Sequence, residues 1–233
     1  MNILSLTGYF LLIRSVWAYC MQFFRKSVNY SYRQDKLLKG KHIMKIQDLL
    51  KDRRSYYAIN DKLPVADEQV VELVNTVTEL VPDAFNMKSS RVVLALGENQ
   101  KKLWDAIYDA FDGKVAREKI DGFKAGAGTV LYFIDQETVE NMQAQFAPYA
   151  ANFPIWSQQS SGMLQISIWS GLRELGIGAS VQHYNPVIDA AVKKMFNVPE
   201  KWMLVAQMPF GGIAAQPDPK DREDISKRVA VYR

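Results

Sequence analysis

Cysteine and histidine are almost missing from this chain: of 233 residues one is cysteine, Cys20, and two are histidine, His42 and His183. Cys20 and His42 both precede Met44, so the rest of the chain has no thiol and a single imidazole. Thiol catalysis, a disulfide framework, iron–sulfur ligation and the usual zinc sites need several such side chains, which sets all four aside for residues 44–233. The spaced Asp/Glu loop of a calcium site is absent as well. No Gly-x-Ser-x-Gly elbow is present, and one histidine leaves nothing spare for a serine hydrolase triad. Gly126-Ala127-Gly128 is not a dinucleotide fingerprint, because it precedes a strand-like run where that fingerprint must follow a strand and open a helix.

Acidic residues are scarce in one region only. Residues 1–43 hold Arg14, Arg25, Lys26, Arg33, Lys36, Lys39 and Lys41 against Asp35 alone, although the whole chain carries a net charge of only +4. The remainder is therefore slightly acidic, and nucleic-acid binding loses its electrostatic basis. The same leader is apolar from Ile3 to Phe24, but Arg14 interrupts the run and no basic residue precedes it, unlike a secretory signal. Two readings stand: a membrane anchor that would hold the following domain on the cytoplasmic side, or upstream sequence translated in frame before a natural start at Met44. A cytoplasmic location and a domain spanning 44–233 are expected, with a membrane partner only if the leader is retained.

With 48% apolar and 23% charged residues, the chain has the composition of an ordinary globular domain. Met44 to Leu50 opens an amphipathic helix. Asp67 to Val81 is helical, with one apolar face and Pro82 as its stop. Arg91–Leu96 and Thr129–Ile134 read as central strands, with a helix over Gln100–Phe111 between them. Helices follow at Glu137–Tyr149, Ser157–Leu175 and Val187–Phe196, and strands at Ala179–His183 and Trp202–Met208. Strict βαβ alternation is missing, which favours an α+β sandwich with a central, mostly antiparallel sheet flanked by helices. Ser161–Leu175 is apolar over more than one stripe, as suits a core or a subunit interface. Phe153, Trp156, Tyr184 and Phe210 could line a substrate pocket, with core as the default reading.

Three polar features carry chemistry. Arg53-Arg54-Ser55 offers two forked guanidiniums and a hydroxyl to a phosphate. Lys220 and Arg222 form a second basic pair, in a loop stiffened by Pro217 and Pro219. The loop Pro82–Arg91 feeds a central strand and can present Asn86 and Lys88 to a flat heteroaromatic ring. The Arg-x-Ser opening, the Asn-x-x-Ser-x-Arg loop and the late Lys-x-Arg together resemble the flavin-dependent nitroreductase family. Arg53-Arg54-Ser55-Tyr56-Tyr57 and Gly178–Pro186 are similar to its branch of small fungal and bacterial proteins linked to fatty-acid-dependent regulation and oxidative stress. The resemblance covers essentially all of 44–233.

The resemblance implies a nitroreductase-like, dimeric fold with FMN at the subunit interface and NADH or NADPH as electron donor to a small-molecule acceptor. Arg53, Arg54 and Ser55 with Lys220 and Arg222 would hold the FMN phosphate, and Asn86 and Lys88 would face the ring. Gln182 and His183 stand where many members have Glu-Gly beside the flavin. Tyr57 stands where many have a third basic residue, so no phosphate role passes to it. His183 could donate a proton to a reduced acceptor, but a satisfied structural histidine is the stronger reading. A flavin-binding regulatory protein with little turnover is the alternative function.

Overall fold

The computed structural model describes residues 45–221 and 223–233. The leader with both its readings, Met44 and Arg222 all lie outside the described residues. Among the described residues no helix is long and apolar enough to cross a membrane.

The fold is organised by strand β3 (Gly128–Asp135), which is buried throughout except at Asp135. Its apolar residues serve both sheet faces because successive side chains of a strand point to opposite sides. Val130 and Tyr132 pack with Leu164, Ile168 and Leu172 of helix α6 (Phe153–Glu174) and Val70 and Val74 of helix α2 (Asp67–Leu80). Leu131 and Phe133 pack on the opposite face with helices α3 (Glu98–Ala110), α4 (Arg117–Lys124) and α7 (Asp189–Phe196). Each such side chain contributes roughly 1.5–3 kcal/mol when fully buried. The remaining strands are β1 (Ile59–Asn60), β2 (Ser90–Leu96), β4 (Gly178–Ala179) and β5 (Trp202–Ile213). They run in the order β1-β5-β3-β2 with β4 also on β5, and every ladder is antiparallel. The α+β sandwich expected from the sequence is the fold observed.

One polar relay is buried in this core. The Trp104 indole N–H donates to Thr129 Oγ1 (2.9 Å), Thr129 donates to Gln100 Oε1 (2.6 Å), and Gln100 Nε2 donates to the Phe123 carbonyl (2.8 Å). The relay ties α3 to β3 and α4 with its members partnered, as buried polar groups must be.

Several boundaries differ from expectation. The opening helix, α1, is Ile46–Asp52. Helix α4 was not foreseen, because only Ile120 and Phe123 of its eight residues are buried and Gly122 interrupts it. Glu137–Tyr149 is divided: α5 (Gln136–Gln145) ends at Phe146, and a 3-10 turn with Pro148 in its first turn follows. Helix α6 begins at Phe153, with Pro154 in the first turn, where the missing N–H costs nothing. Strand β5 passes through Pro209 because the Pro209 carbonyl accepts from Ser180 N, so its protonless nitrogen faces the short β4 side and not β3. The strand expected over Ala179–His183 shrinks to Gly178–Ala179 plus a bridge between Gln182 and Gln207.

Candidate active site

The Arg53-Arg54-Ser55 stretch leaves α1 and is pinned along β4. Ser55 forms a parallel bridge with Ala179, and the Ala179 carbonyl accepts from both Tyr56 N (3.0 Å) and the Trp169 indole N–H (3.1 Å). Gly178 permits this approach, since a Cβ there would lie 2.9 Å from Tyr56 Cβ and Ile213 Cγ1. The Arg53 guanidinium stacks 4.1 Å from the Trp169 ring centroid, and Arg173, one turn further along α6, lies 5.7 Å from that of Tyr56. Burial and the neighbouring Arg54 charge hold Arg53 below the ordinary arginine range. Arg54 donates to the Asp218 carbonyl, which draws the Pro217–Lys220 loop over the stretch.

Two clefts result, meeting at Arg54, Gln216 and Lys220. One, of about 520 Å³, is lined by Ser55, Tyr57 and the Pro217–Lys220 loop. The other, of about 540 Å³, is lined by Lys51, Arg53, Arg173 and Gln216. Arg53, Arg54, Ser55 and Lys220 are thus brought together as the sequence implied, across most of the chain. Arg173, Lys51 and Gln216 were missed. Arg173 in particular reads in sequence only as a cation at a helix end, and its one signal is its i+4 spacing from Trp169.

The donors of this cluster fit an anion. The Nε atoms of Arg53, Arg54 and Arg173 are buried without a hydrogen-bond partner among the described residues. None of these arginines, nor Lys220, is in an ion pair there. Buried donors left unpaired are costly, so a phosphate dianion answers a need the protein itself does not meet.

The second polar feature, Pro82–Arg91, is a tightly tied loop. Asp83 Oδ2 accepts from Ser89 N (2.8 Å) and Ser89 Oγ (2.7 Å), and the Pro82 carbonyl accepts from Ser160 (3.2 Å). Phe85, Asn86 and Lys88 are held at φ values of 54°, 52° and 54°. Asn tolerates that region, whereas Phe and Lys are strained there, and such strain persists only where the surroundings enforce it. Asn86 and Lys88 line a cavity of about 800 Å³ with Arg91, walled by Val71 and Thr78 of α2 and Val92 of β2. Within one chain this cavity shares no lining residue with the two clefts beside Arg53 and Ser55, so the sets expected at the two ends of one flavin are not joined there.

Gln182 and His183 line none of these three cavities. Gln182 is buried, exchanging backbone hydrogen bonds with Gln207 (2.6 and 2.9 Å) and donating to Ser180 Oγ (3.1 Å). His183 is exposed, which corrects the reading of a satisfied structural histidine at a strand end. Phe153, Tyr184 and Phe210 are buried in the core, while Trp156 is half-buried and stacks on Phe85 with ring centroids 5.7 Å apart.

An α+β sandwich with basic side chains gathered beside β4 and a polar loop entering β2 is the frame that comparison with known proteins assigns to an oxidoreductase family. The sequence profile of the nitroreductase family matches residues 50–212, and the chain belongs to that family. It is 32% identical over 184 residues to the nitroreductase FRM2 of Saccharomyces cerevisiae, which covers 78% of this chain and 93% of FRM2. Nitroreductase CinD from Lactococcus lactis, solved in complex with chloramphenicol, superimposes with a TM-score of 0.78 at 41% identity, covering 81% of this chain and all of that one. The same protein solved with 4-nitrophenol gives a TM-score of 0.77. The chain is thus an oxidoreductase of a generally flavin-dependent family whose members typically act as dimers on small molecules.

Proposed function

We propose that this protein is an FMN-dependent oxidoreductase that takes reducing equivalents from NADH or NADPH and passes them to nitroaromatics, quinones or similar electron-poor acceptors. The observation that carries the cofactor is the pair of buried Nε atoms of Arg53 and Arg54, unpartnered among the described residues, beside Ser55 and Lys220. Nitroaromatic acceptors are supported by the compounds bound to the Lactococcus lactis relative. FMN, when bound, supplies the atom that accepts and then donates hydride, so the two half-reactions alternate and the protein needs neither a thiol nor a metal.

The chain's own residues do the rest. Arg53, Arg54, Ser55, Lys220 and Arg222 hold the phosphate through charge-assisted hydrogen bonds. Lys88 places an ammonium where negative charge gathers on a reduced ring, and Asn86 adds a donor and an acceptor beside it. A homodimer completes the site. Its support within the chain is the outer face of α6, where Ile155 and Met163 are 56% and 41% exposed. The working domain is 44–233, acting in the cytoplasm.

An absorption spectrum of the purified protein, before and after anaerobic NADH or NADPH, tests this reading. Flavin bands that bleach on addition are expected. Bands that persist would favour a flavin-binding regulator with little turnover, and a colourless protein that takes up no added FMN would overturn the proposal.

A further inference from the structure

The cluster holds more positive charge than one phosphate dianion requires. Ser55 and Lys220 face one cleft, while Lys51, Arg53 and Arg173 face the other, with Arg54 and Lys220 on the wall between them. The last turn of a helix favours a cation, which accounts for a positive charge at Arg173. It does not account for a buried Nε without a partner among the described residues, on the wall of a cleft that Arg53 also lines. Two guanidiniums along one cleft repel each other unless an anion lies between them. The acidic residues nearby do not fill that role. Asp52 lines the cleft but is exposed and in no ion pair among the described residues, and Asp218 offers Arg54 only its carbonyl.

We infer that Lys51 and Arg173, in the cleft that Arg53 of the flavin phosphate cradle also lines, form a second phosphoryl site adjoining that cradle. Its ligand is a phosphomonoester or diphosphate arm of a nucleotide. Two sources carry that chemistry: the second phosphate of a flavin dinucleotide, and the 2′-phosphate that separates NADPH from NADH. The inference rests on the flavin reading for its neighbour but has its own readout.

The test is direct binding, with Arg173→Met, which keeps the stem over Tyr56, and Arg173→Lys, which keeps the charge. FMN-loaded protein is titrated with adenosine 2′,5′-bisphosphate and with 5′-AMP, and flavin-free protein with FAD and with FMN. One of the two doubly phosphorylated probes should bind about tenfold more tightly than its singly phosphorylated counterpart, an advantage lost in Arg173→Met and partly restored in Arg173→Lys. An advantage for the bisphosphate assigns the site to NADPH, and an advantage for FAD assigns it to a flavin dinucleotide. Equal binding within both pairs overturns the inference. So does a loss of FMN in Arg173→Met as large as the loss of either probe, because Arg173 then belongs to the flavin cradle. A wild-type protein that takes up no flavin yet prefers the bisphosphate to 5′-AMP would sink the flavin reading and leave the second site standing.

Discussion

Arg91 and Arg53 are both partly buried and both lie over a tryptophan, yet their surroundings are opposite. Arg91 pairs with Asp135 at 2.7 Å, reaches Thr138 and donates to the carbonyls of Lys88 and Ser90, with Trp202 5.6 Å away. Asp135 in turn caps α5 by accepting from the N–H groups of Glu137 and Thr138. Arg117 is likewise neutralised, between Asp105 and Asp121. Arg53, Arg54 and Arg173 have no carboxylate partner among the described residues and keep buried nitrogens unpaired. The first kind of guanidinium is neutralised within the fold, and the second is the kind that the proposed function assigns to a bound anion. Replacing one kind should therefore cost stability, and replacing the other should cost ligand.

The largest effect is expected where the ligand is lost. Arg53→Ala combined with Lys220→Ala removes two contacts worth about 1.5–3 kcal/mol each, so FMN retention in equilibrium dialysis should fall by roughly a hundredfold or more. Retention within threefold of wild type would remove both residues from the cradle. Next comes the structural pair. Asp135→Ala deletes a helix cap and leaves the Arg91 guanidinium partly buried without its partner, and chemical denaturation should register a loss of about 2–4 kcal/mol. Asp135→Asn, which keeps the cap, should lose less than half of that. Equal losses for the two variants would mean that the cap contributes nothing beyond the ion pair.

Legibility in the sequence divides along the same line. β3 and its neighbours could be read because Val92–Leu96, Thr129–Ile134 and Trp202–Met208 are long, largely apolar runs with no charge inside them. α4 could not, since two apolar residues in a polar octet carry no periodicity. Arg53, Arg54, Ser55 and Lys220 stood out by their side-chain chemistry, but only a family pattern joined into one site residues that β4 and the Asp218 carbonyl bring together in space. Composition alone makes them solvated cations. Arg173 has no place in that pattern, and its burial depends on Trp169, Tyr56 and the packing of α6 against β4, none of which is local. His183 was misjudged for the converse reason: the strand expected to enclose it stops at Ala179, leaving its ring in solvent.

Arg173→Met sharpens the comparison from the other side. It removes one of several like charges gathered in a small volume while keeping an apolar stem against Tyr56. Without ligand, the stability of this variant should be unchanged or higher by about 0.5 kcal/mol, opposite in sign to Arg91→Met, which discards a satisfied network. Thermal midpoints of the two variants in the absence of phosphate decide the matter, and a matching loss in both would show that Arg173 is structural after all.

The smallest effect is expected at Tyr57, which borders the Ser55 cleft yet is 59% exposed, with its ring 6.4 Å from that of Phe123. Its hydroxyl is neutral and offers a phosphate dianion far less than a cation at the same position. Tyr57→Ala should shift FMN retention by less than about threefold, under ~0.7 kcal/mol. Tyr57→Lys should tighten it, because the added ammonium joins Arg54 and Lys220 around the same cleft. If the alanine variant instead loses flavin as completely as the Arg53 and Lys220 pair, the cradle is held by packing over the cofactor more than by charge, and the contrast between the two kinds of arginine would no longer explain where the cofactor binds.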